Sequence, residues 1–410
     1  MKAQYRQNER AEMFEARELL PVTKHSLQYR TACDADALFP VAPPCYDTIM
    51  RRHIDYPLLA IALTLLVAGI AIVSSASIVV SEKNFGTPYY YVFRHGIYAL
   101  VGLGVLSLCQ AIPYKLWKKI SLPFLGISLL AVAAVFIPEL GLKLGGATRW
   151  LKIGPISVQP SEILKLSLIL YLASWLDKKK GQSKSFATAF VPFLAIMGVV
   201  GMLLVYQSDI GTLLVTAGGA VILYFLGGGR FPQLAAFGLL GAAALTAVVQ
   251  VAPYRLNRFL VFLKPDLDPQ GIGYHISQAL IAIGSGGFWG RGFGQSIQKF
   301  NYLPEPFGDS VFAVIVEEFG FFGGLVLGSL FFFFLLRAIT IARRAPDFFG
   351  KLLVAGMASI IVLQAFIHMA AISGLLPLTG VPLPFISYGG TSLVVTLAMV
   401  GIMLNVSKHA

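Results

Sequence analysis

Ten apolar runs, separated by polar segments, constrain the fold of this chain more than any other feature of its sequence. Each run approaches or exceeds the roughly 20 residues that a helix needs to cross about 30 Å of hydrocarbon. Within a bilayer every backbone polar group must find its partner inside the protein, which restricts spanning segments to helices and closed barrels. A composition that is 56% hydrophobic and only 13% charged over 410 residues excludes an ordinary soluble domain. We therefore predict an all-α, polytopic membrane protein.

The predicted transmembrane helices follow one another with short connections, apart from two long ones. Their bounds are 56–77, 90–111, 117–137, 161–176, 187–206, 210–226, 231–251, 311–336, 350–374 and 387–406. The longest connection, residues 252–308, separates the seventh helix from the eighth, and we predict that it lies on the outer side of the membrane. An amphipathic stretch at 276–283 predicts a short re-entrant or interfacial helix within this outer loop.

The distribution of lysine and arginine orients the predicted helices. With the N-terminus inside, the cytoplasmic segments carry 21 of these residues and the outer segments nine, of which five lie in the long outer loop. The positive-inside rule discounts such long loops, so both termini are predicted to be cytoplasmic. The net charge of +12 thus follows from orientation in a membrane, and we expect no nucleic-acid partner. Residues 1–52, rich in charges of both signs, are predicted to form a disordered cytoplasmic tail ahead of a membrane domain at 53–410.

Ionisable residues near the helices concentrate in the outer half of the predicted membrane. They are Arg94, His95, Glu162, Lys165, Asp209, Asp309, Glu317, Glu318 and His368. Charged side chains in hydrocarbon are costly, and they are usually paired or functional. Scattered ion pairs would have no reason to gather in one leaflet, so the pattern predicts a polar cavity that is open to the outside.

A polar stretch leads directly into the eighth predicted helix. Two prolines and a glycine keep this stretch out of helix and place Asp309 where a loop enters the bilayer. Asp309 is either a reactive carboxylate or the N-cap of that helix. Glu317 and Glu318 lie roughly 12 Å deeper, at about 1.5 Å per residue. They are either functional groups or buried ion-pair partners of Lys165 or Arg94.

Other candidate residues have structural alternatives that the sequence leaves open. Arg149 is either a substrate contact or an interfacial anchor. Lys165 either lines the cavity or extends to the outer interface. Asp209 is favoured as the cap of the sixth helix. His275 and His368 are favoured as structural histidines, because neither has a metal-like spacing to other ligands.

Four motifs, in order along the chain, resemble those of the SEDS family of bacterial cell-wall polymerases, FtsW and RodA. They read GGATRW with QPSEILK at 145–165, DPQGIGYHISQ at 268–278, YLPE with DSVFA and EE at 302–318, and PLPFISYGGTS at 382–392. The resemblance covers residues 53–410, and the run QSIQKFNYLP at 295–304 is more similar to the division branch, FtsW. The triplet PFG before Asp309 departs from the more polar residues expected of the family at this place.

The resemblance implies a peptidoglycan glycosyltransferase of the bacterial cytoplasmic membrane, located at the division septum if it is FtsW-like. Its partners would be lipid II, membrane lipid, a class B penicillin-binding transpeptidase of the FtsI type and other division proteins. It would polymerise lipid II into glycan strands at the outer face, with Asp309 as the base in an inverting transfer. Substrate contacts would come from Arg94, Arg149, Lys152, Lys165, Glu305 and Glu317. The sequence establishes no cofactor, but Asp309, Glu305 or Glu317 could hold Mg²⁺ or Mn²⁺.

Three other functions stay open at this point. They are a RodA-like polymerase of cell elongation, a lipid II flippase and a non-catalytic scaffold of division. A flippase would need a second, inward-facing polar pathway and helices broken near the midplane. The outward segregation of ionisable residues argues against it. A scaffold leaves Asp309 and the glycine-rich segment at 284–294 without a role.

Overall fold

The structure is a computed structural model that describes residues 53–144, 147–154, 156–181, 185–251, 261–262, 271–300 and 302–410. Helices dominate it, because apolar runs of this length satisfy their backbone hydrogen bonds internally. The predicted tail at 1–52 and most residues between 252 and 270 lie outside the described residues. The disordered tail therefore stays a prediction.

Each stretch that the hydropathy pattern marks as a span contains a helix, and the described ranges give the bounds of two further helices between these stretches. The helices are α1 (Tyr56–Ala76), α2 (Ile78–Phe85), α3 (Tyr90–Ala111), α4 (Tyr114–Ala134), α5 (Pro160–Lys178), α6 (Val191–Tyr206, after a π-helical turn, Phe186–Phe190), α7 (Ile210–Leu226), α8 (Phe231–Val251), α9 (Ile272–Gly286), α10 (Val311–Arg344), α11 (Phe348–Ile372) and α12 (Gly390–Ser407). Helix α9 confirms that a helix forms at 276–283, whereas its placement at the membrane surface stays a prediction. Helix α2 was not predicted.

Seven of the helices in the described part of the chain are long and apolar enough to cross a membrane. They are α1, α3, α4, α6 with its π-helical turn, α10, α11 and α12. Helix α7 and the Phe231–Ala244 part of α8 are apolar but shorter, and α5 carries Glu162 and Lys165 near its start. The described residues thus form a mostly helical protein in which seven helices are candidate membrane spans.

Helices α11 and α12 form the centre of the bundle. In their most apolar windows, 78% of the residues of α11 and 83% of those of α12 are buried, against at most 44% for the other five candidate spans. Helix α12 packs along α3, and α11 contacts α5, α7 and α10. The remaining spans are buried over less than half of these windows and leave many apolar side chains exposed, as expected where lipid replaces water.

A small antiparallel sheet occupies the connection between α4 and α5, so the expectation of an all-α chain is wrong there. Its strands are β1 (Gly141–Leu144), β2 (Ala147–Ile153) and β3 (Ile156–Val158), in the order β1-β2-β3. Residues that favour strands concentrate in this connection, among them Thr148, Trp150, Ile153, Ile156 and Val158. Hydropathy over a window of 20 residues does not detect such short strands, because their partners and not their length stabilise them.

Helix α10 breaks at Gly320, whose backbone angles (φ 69°, ψ −167°) are not helical. The segment that follows α9 supplies the hydrogen bonds that the break interrupts. Four backbone bonds join the two: Arg291 N–H to the Glu317 carbonyl (3.0 Å), Gly292 N–H to the Glu318 carbonyl (2.9 Å), Phe321 N–H to the Gly287 carbonyl (2.9 Å) and Phe322 N–H to the Phe288 carbonyl (3.3 Å). The break therefore ties the glycine-rich segment to α10.

We expect Gly320→Ala to lower the apparent melting temperature of the detergent-solubilised protein by several degrees. An added Cβ would clash with the Phe288 carbonyl and strain a backbone that only glycine adopts readily, at a cost of about 1–3 kcal/mol. The matched control is Gly328→Ala in the same helix, where an added Cβ meets nothing within 4 Å. Alanine should be neutral there or stabilise by roughly 0.5–1 kcal/mol. Equal melting temperatures for the two variants would contradict this role of the break.

Candidate functional site

A tight turn ahead of α10 carries Asp309. The Glu305 carbonyl accepts hydrogen bonds from the N–H groups of Gly308 (3.0 Å) and Ser310 (3.3 Å). Glu305 has a left-handed backbone (φ 44°), which is uncommon for a residue other than glycine. Ser310 occupies the N-cap position of α10, so the alternative of Asp309 as the cap residue is wrong. The half-buried Asp309 thus lies on a constrained turn just before the helix begins.

The segment between α11 and α12 forms one wall of this turn. The Ser387 hydroxyl donates a hydrogen bond to the Gly308 carbonyl (2.8 Å), immediately before Asp309. Gly380, at φ 64°, faces Asp309 so closely that a Cβ added there would lie 3.3 Å from the Oδ2 atom. A side chain at this position would crowd the carboxylate, and the backbone angle also favours glycine. The wall therefore depends on glycine for its close approach.

Buried polar side chains, linked to one another by hydrogen bonds, anchor this wall to the core. Lys165, only 1% exposed, forms a 2.9 Å ion pair with Glu162 and donates to Oε1 of Gln364 (2.6 Å). The Gln364 amide in turn donates to the Pro382 carbonyl (2.8 Å). The alternative in which Lys165 extends to the outer interface is wrong, because its ammonium group is buried and paired. Sequence reasoning missed Gln364, although a lone amide in an apolar helix signals a required partner.

Two histidines also hold the backbone around the site. His368 Nδ1 lies 2.7 Å from the Val381 carbonyl and must carry the proton there. His275, on α9, lies with Nε2 2.6 Å from the Ser310 hydroxyl. That hydroxyl gives its one proton to the Pro304 carbonyl (2.7 Å), so His275 Nε2 is the donor. These contacts agree with the structural interpretation of both histidines.

Arg149 lies in a neighbouring cluster at the turn between α6 and α7. Its guanidinium group donates to the carbonyls of Gln207 (3.5 Å) and Ser208 and lies 3.8 Å from Asp209. Asp209 also accepts a hydrogen bond from the Thr212 N–H (3.3 Å), which confirms it as the cap of α7. The cluster fixes Arg149 to the start of α7.

This cluster borders the wall of the Asp309 turn. Near the start of α7, Gly211 packs against the backbone of Thr379, next to Gly380. Lys152, the other predicted cation of the connection, is exposed. Arg149 is the extra residue of a β-bulge in β2, because Trp150 pairs with Leu142 and Thr148 with Lys143. Arg149 is thus held at the turn between α6 and α7, whereas Lys152 is exposed.

Glu317 is fully buried and holds the segment that follows α9. It accepts hydrogen bonds from the Ser296 hydroxyl (2.6 Å) and the Ile297 N–H (3.0 Å), and it lies 3.8 Å from Nε of Arg291. Both carboxylate oxygens therefore serve contacts within the chain. The surroundings of Glu317 favour a structural role over the predicted contact with substrate.

Glu318 forms a buried ion pair with Lys299. Its Oε1 accepts from the Lys299 ammonium (3.1 Å) and from the Ser75 hydroxyl (2.5 Å), which links α10 to α1. The prediction that Glu317 and Glu318 pair with Lys165 or Arg94 is wrong. Both glutamates instead pair with cations of the segment after α9, namely Arg291 and Lys299. Sequence reasoning missed Lys299, since a lysine in a long loop gives no signal of burial.

Aromatic residues surround Arg94 at the start of α3. Arg94 donates to the Tyr90 hydroxyl (2.9 Å), and its guanidinium carbon lies 5.5 Å from the centroid of that ring. Nearby, the rings of Tyr91, Phe307 and Tyr388 pack together, with centroid distances of 4.4, 5.1 and 5.7 Å. Burial raises the pKa of Tyr388 to about 12, so its phenol stays protonated at neutral pH and can donate a hydrogen bond.

A cavity of about 590 Å³ opens beside this aromatic cluster. Its lining includes Tyr91, Tyr274, Tyr302, Glu305, Phe307 and Tyr388. Within the described ranges, no three side chains of His, Cys, Asp or Glu gather as a metal site. Glu305 and Asp309 do share one turn, and two carboxylates suffice for Mg²⁺ where substrate phosphates and water supply the other ligands.

Comparison with known proteins identifies relatives that agree with one another in family. The family model FTSW_RODA_SPOVE, described as cell cycle protein, matches residues 56–410. The chain is 39% identical over 361 residues to the probable peptidoglycan glycosyltransferase FtsW of Geobacter sulfurreducens, covering 88% of this chain and 96% of the relative. It is 38% identical over 363 residues to the stage V sporulation protein E of Bacillus subtilis, covering 88% and 99%.

Solved structures agree with these relatives. A chain of a peptidoglycan synthase complex that coordinates polymerization and crosslinking superposes with a TM-score of 0.73 at 27% identity, covering 86% of this chain and 97% of that chain. The rod shape determining protein RodA of Thermus thermophilus superposes with a TM-score of 0.63 at 27% identity, covering 86% and 96%.

We expect Lys299→Met to destabilise the protein by about 3–5 kcal/mol, because it leaves Glu318 buried without its counter-charge. The double variant Lys299→Met/Glu318→Gln removes both charges and should recover much of that loss. Apparent melting temperatures of the wild type and both variants in one detergent measure the effect. A double variant that is no more stable than the single one would show that the two charges are not coupled.

Proposed function

Because the chain belongs to the FtsW/RodA/SpoVE family of cell cycle proteins, we propose that it is a peptidoglycan glycosyltransferase. Its substrate would be lipid II, polymerised into glycan strands at the outer face of the bacterial cytoplasmic membrane. The observation that carries the proposal is Asp309, a carboxylate on a constrained turn that lies against Gly380 at the start of α10. The relatives that bear the name FtsW support the reaction class.

The chemistry requires one positioned base. The acceptor sugar hydroxyl is far too weakly acidic to react unaided, and Asp309 accepts its proton. The acceptor oxygen bonds to the anomeric carbon of the donor, while the bond from that carbon to the diphosphate breaks. The electron pair of the broken bond leaves with undecaprenyl diphosphate. Attack from the opposite side inverts the anomeric centre, so no covalent enzyme intermediate is needed.

The leaving diphosphate gains negative charge and requires cations nearby. Arg94 and Arg149 are half-buried and held by neighbouring oxygens, and we assign them to the diphosphate. Lys152 is exposed on β2 and would meet the substrate farther from the turn. Lys165 is buried in an ion pair, so its role is to hold the wall of the site and not to contact substrate.

Glu305 and Asp309 are the residues that would hold Mg²⁺ or Mn²⁺, together with oxygens of the substrate. Such an ion, when bound, neutralises charge on the diphosphate. Glu317 is not assigned to it, because its carboxylate oxygens accept hydrogen bonds from Ser296 and Ile297. The exposed carboxylate of Glu305 has no such commitment among the described residues.

The membrane arrangement we propose has ten spans, with both termini in the cytoplasm. It adds α5, α7 and α8 to the seven long helices. The charges of α5 do not oppose this, because Glu162 and Lys165 are buried against each other and not exposed to lipid. The partner we propose is a class B transpeptidase of the FtsI type, since the similar synthase complex couples polymerization to crosslinking.

A role in division follows from the similarity to proteins named FtsW, and the septum is the proposed location. A RodA-like role in elongation is the second candidate, supported by the structural likeness to RodA. The break in α10 is a feature that a flippase would share. Its backbone groups, however, are hydrogen-bonded to the segment after α9 and leave no open polar pathway at that point.

We expect Asp309→Asn to reduce polymerisation of purified lipid II by about 10²–10⁴-fold, because an amide cannot accept the hydroxyl proton. The purified protein, with its cognate transpeptidase, is incubated with lipid II, and the glycan strands are separated by gel electrophoresis. The matched control is Glu139→Gln, which neutralises an exposed carboxylate ahead of β1 and should leave polymerisation unchanged.

Equal polymer from Asp309→Asn and wild type would remove this carboxylate from the reaction. If the wild type makes no polymer with its partner present, the glycosyltransferase proposal fails. Movement of labelled lipid II across proteoliposomes would then identify a flippase, and its absence would leave the scaffold.

A further inference from the structure

Four tyrosines line the cavity beside the Asp309 turn: Tyr91, Tyr274, Tyr302 and Tyr388. None of their hydroxyl groups is hydrogen-bonded to another described residue. Tyr302 is 53% exposed, and the other three are half-buried. These four stay available to a ligand, and the cavity volume of about 590 Å³ falls within the roughly 300–1,000 Å³ of small-molecule sites.

One wall of the cavity is a rigid aromatic surface. The ring of Phe307 lies 4.4 Å from that of Tyr91 and 5.7 Å from that of Tyr388, measured between centroids. A backbone hydrogen bond from Tyr388 N–H to the Phe307 carbonyl (2.9 Å) fixes two of these rings relative to each other. A ligand that stacks on this wall would therefore bind without having to order it first.

The charge of the cavity selects among ligands. Glu305 is the one ionisable acid among the described lining residues, and none of them is Lys or Arg. Without a bound divalent cation, a diphosphate would therefore be repelled. A hydrocarbon chain is a poor match as well, because it would desolvate the Glu305 carboxylate and the Asn84 amide without replacing their hydrogen bonds. A neutral ligand with many hydroxyl groups satisfies both the carboxylate and the phenols.

We infer that this cavity is a subsite for the neutral sugar rings of the substrate or the growing glycan strand. The C–H faces of a pyranose would lie on the aromatic wall, where the negative ring faces attract them. Its hydroxyl groups would bond to Glu305, Asn84 and the phenols. Phe307 precedes Asp309 by two residues, so a sugar at this end of the cavity places a hydroxyl beside the proposed base. The inference rests on the proposed function, which it extends by separating the saccharide from the diphosphate.

The test measures binding of a soluble N-acetylglucosamine oligomer to the full-length protein in detergent. Saturation-transfer NMR detects this binding. We expect the sugar C–H protons to receive saturation from the wild type. Tyr274→Ala and Tyr302→Ala should each weaken binding about tenfold, through loss of stacking area and of a hydroxyl partner. Tyr274→Phe should retain most of the affinity, because it keeps the ring. The control Tyr56→Ala removes an exposed tyrosine outside the cavity and should bind as the wild type.

Two competing probes, inorganic diphosphate and a free stem pentapeptide, are measured in the same way. The inference is overturned if the wild type does not bind the oligomer. It is also overturned if both alanine variants, at the melting temperature of the wild type, bind the oligomer as tightly as the wild type does. Binding of the peptide or the diphosphate with the same dependence on Tyr274 would overturn it too and reassign the cavity. Polymerisation of lipid II is scored in parallel. If the wild type makes polymer but the alanine variants bind the sugar as well as it does, the subsite is refuted and the proposed reaction stands. If the variants lose sugar binding but the wild type makes no polymer, only the proposed reaction is refuted.

Discussion

The break in α10 at Gly320 is the constraint on which the position of the Asp309 turn depends. A helix interrupted within a membrane leaves backbone groups whose burial without partners costs several kcal/mol each. The segment after α9 satisfies them with four backbone hydrogen bonds, and two buried glutamates reinforce it through their side chains. These contacts hold residues 287–299 against α10, and the chain then runs directly into the turn that carries Asp309. The position of the proposed base thus follows from the way the break is satisfied.

Hydropathy predicted the helices well, because an apolar run of membrane length has almost no alternative to a helix. It failed where other forces decide. Helix α10 continues to Arg344 and not only to 336, since nothing outside hydrocarbon prevents a helix from extending through charged residues. The sheet between α4 and α5 escaped detection because a strand is stabilised by partners that one local window does not contain. The register of Leu151 with both Gly141 and Val158 is such a partnership.

The site was predictable only where its signal is local. Proline, glycine and polar residues around Asp309 mark a turn at a helix start, and that reading holds. The partners of the buried charges are not local: Lys165 meets Gln364 across 199 positions of the chain, and Lys299 lies in a loop that gives no sign of burial. The close approach of Gly380 to Asp309 could not be predicted either, because the sequence does not distinguish a glycine required for close contact from one required for a turn.

The charges around Asp309 divide into those that build the site and those that are left to meet a substrate. The Lys165–Glu162 and Lys299–Glu318 pairs are buried and neutralise each other, so they hold walls and contribute little field outside them. Glu305 makes no ion pair with another described residue and borders a cavity whose described lining has no Lys or Arg, whereas Arg94 lies outside this lining and donates to Tyr90. Glycosyl transfer needs this separation, because a base must accept a proton from a neutral sugar while positive charge stabilises the departing diphosphate. A cationic side chain paired directly with the base would lower its affinity for the proton and hold that positive charge away from the diphosphate.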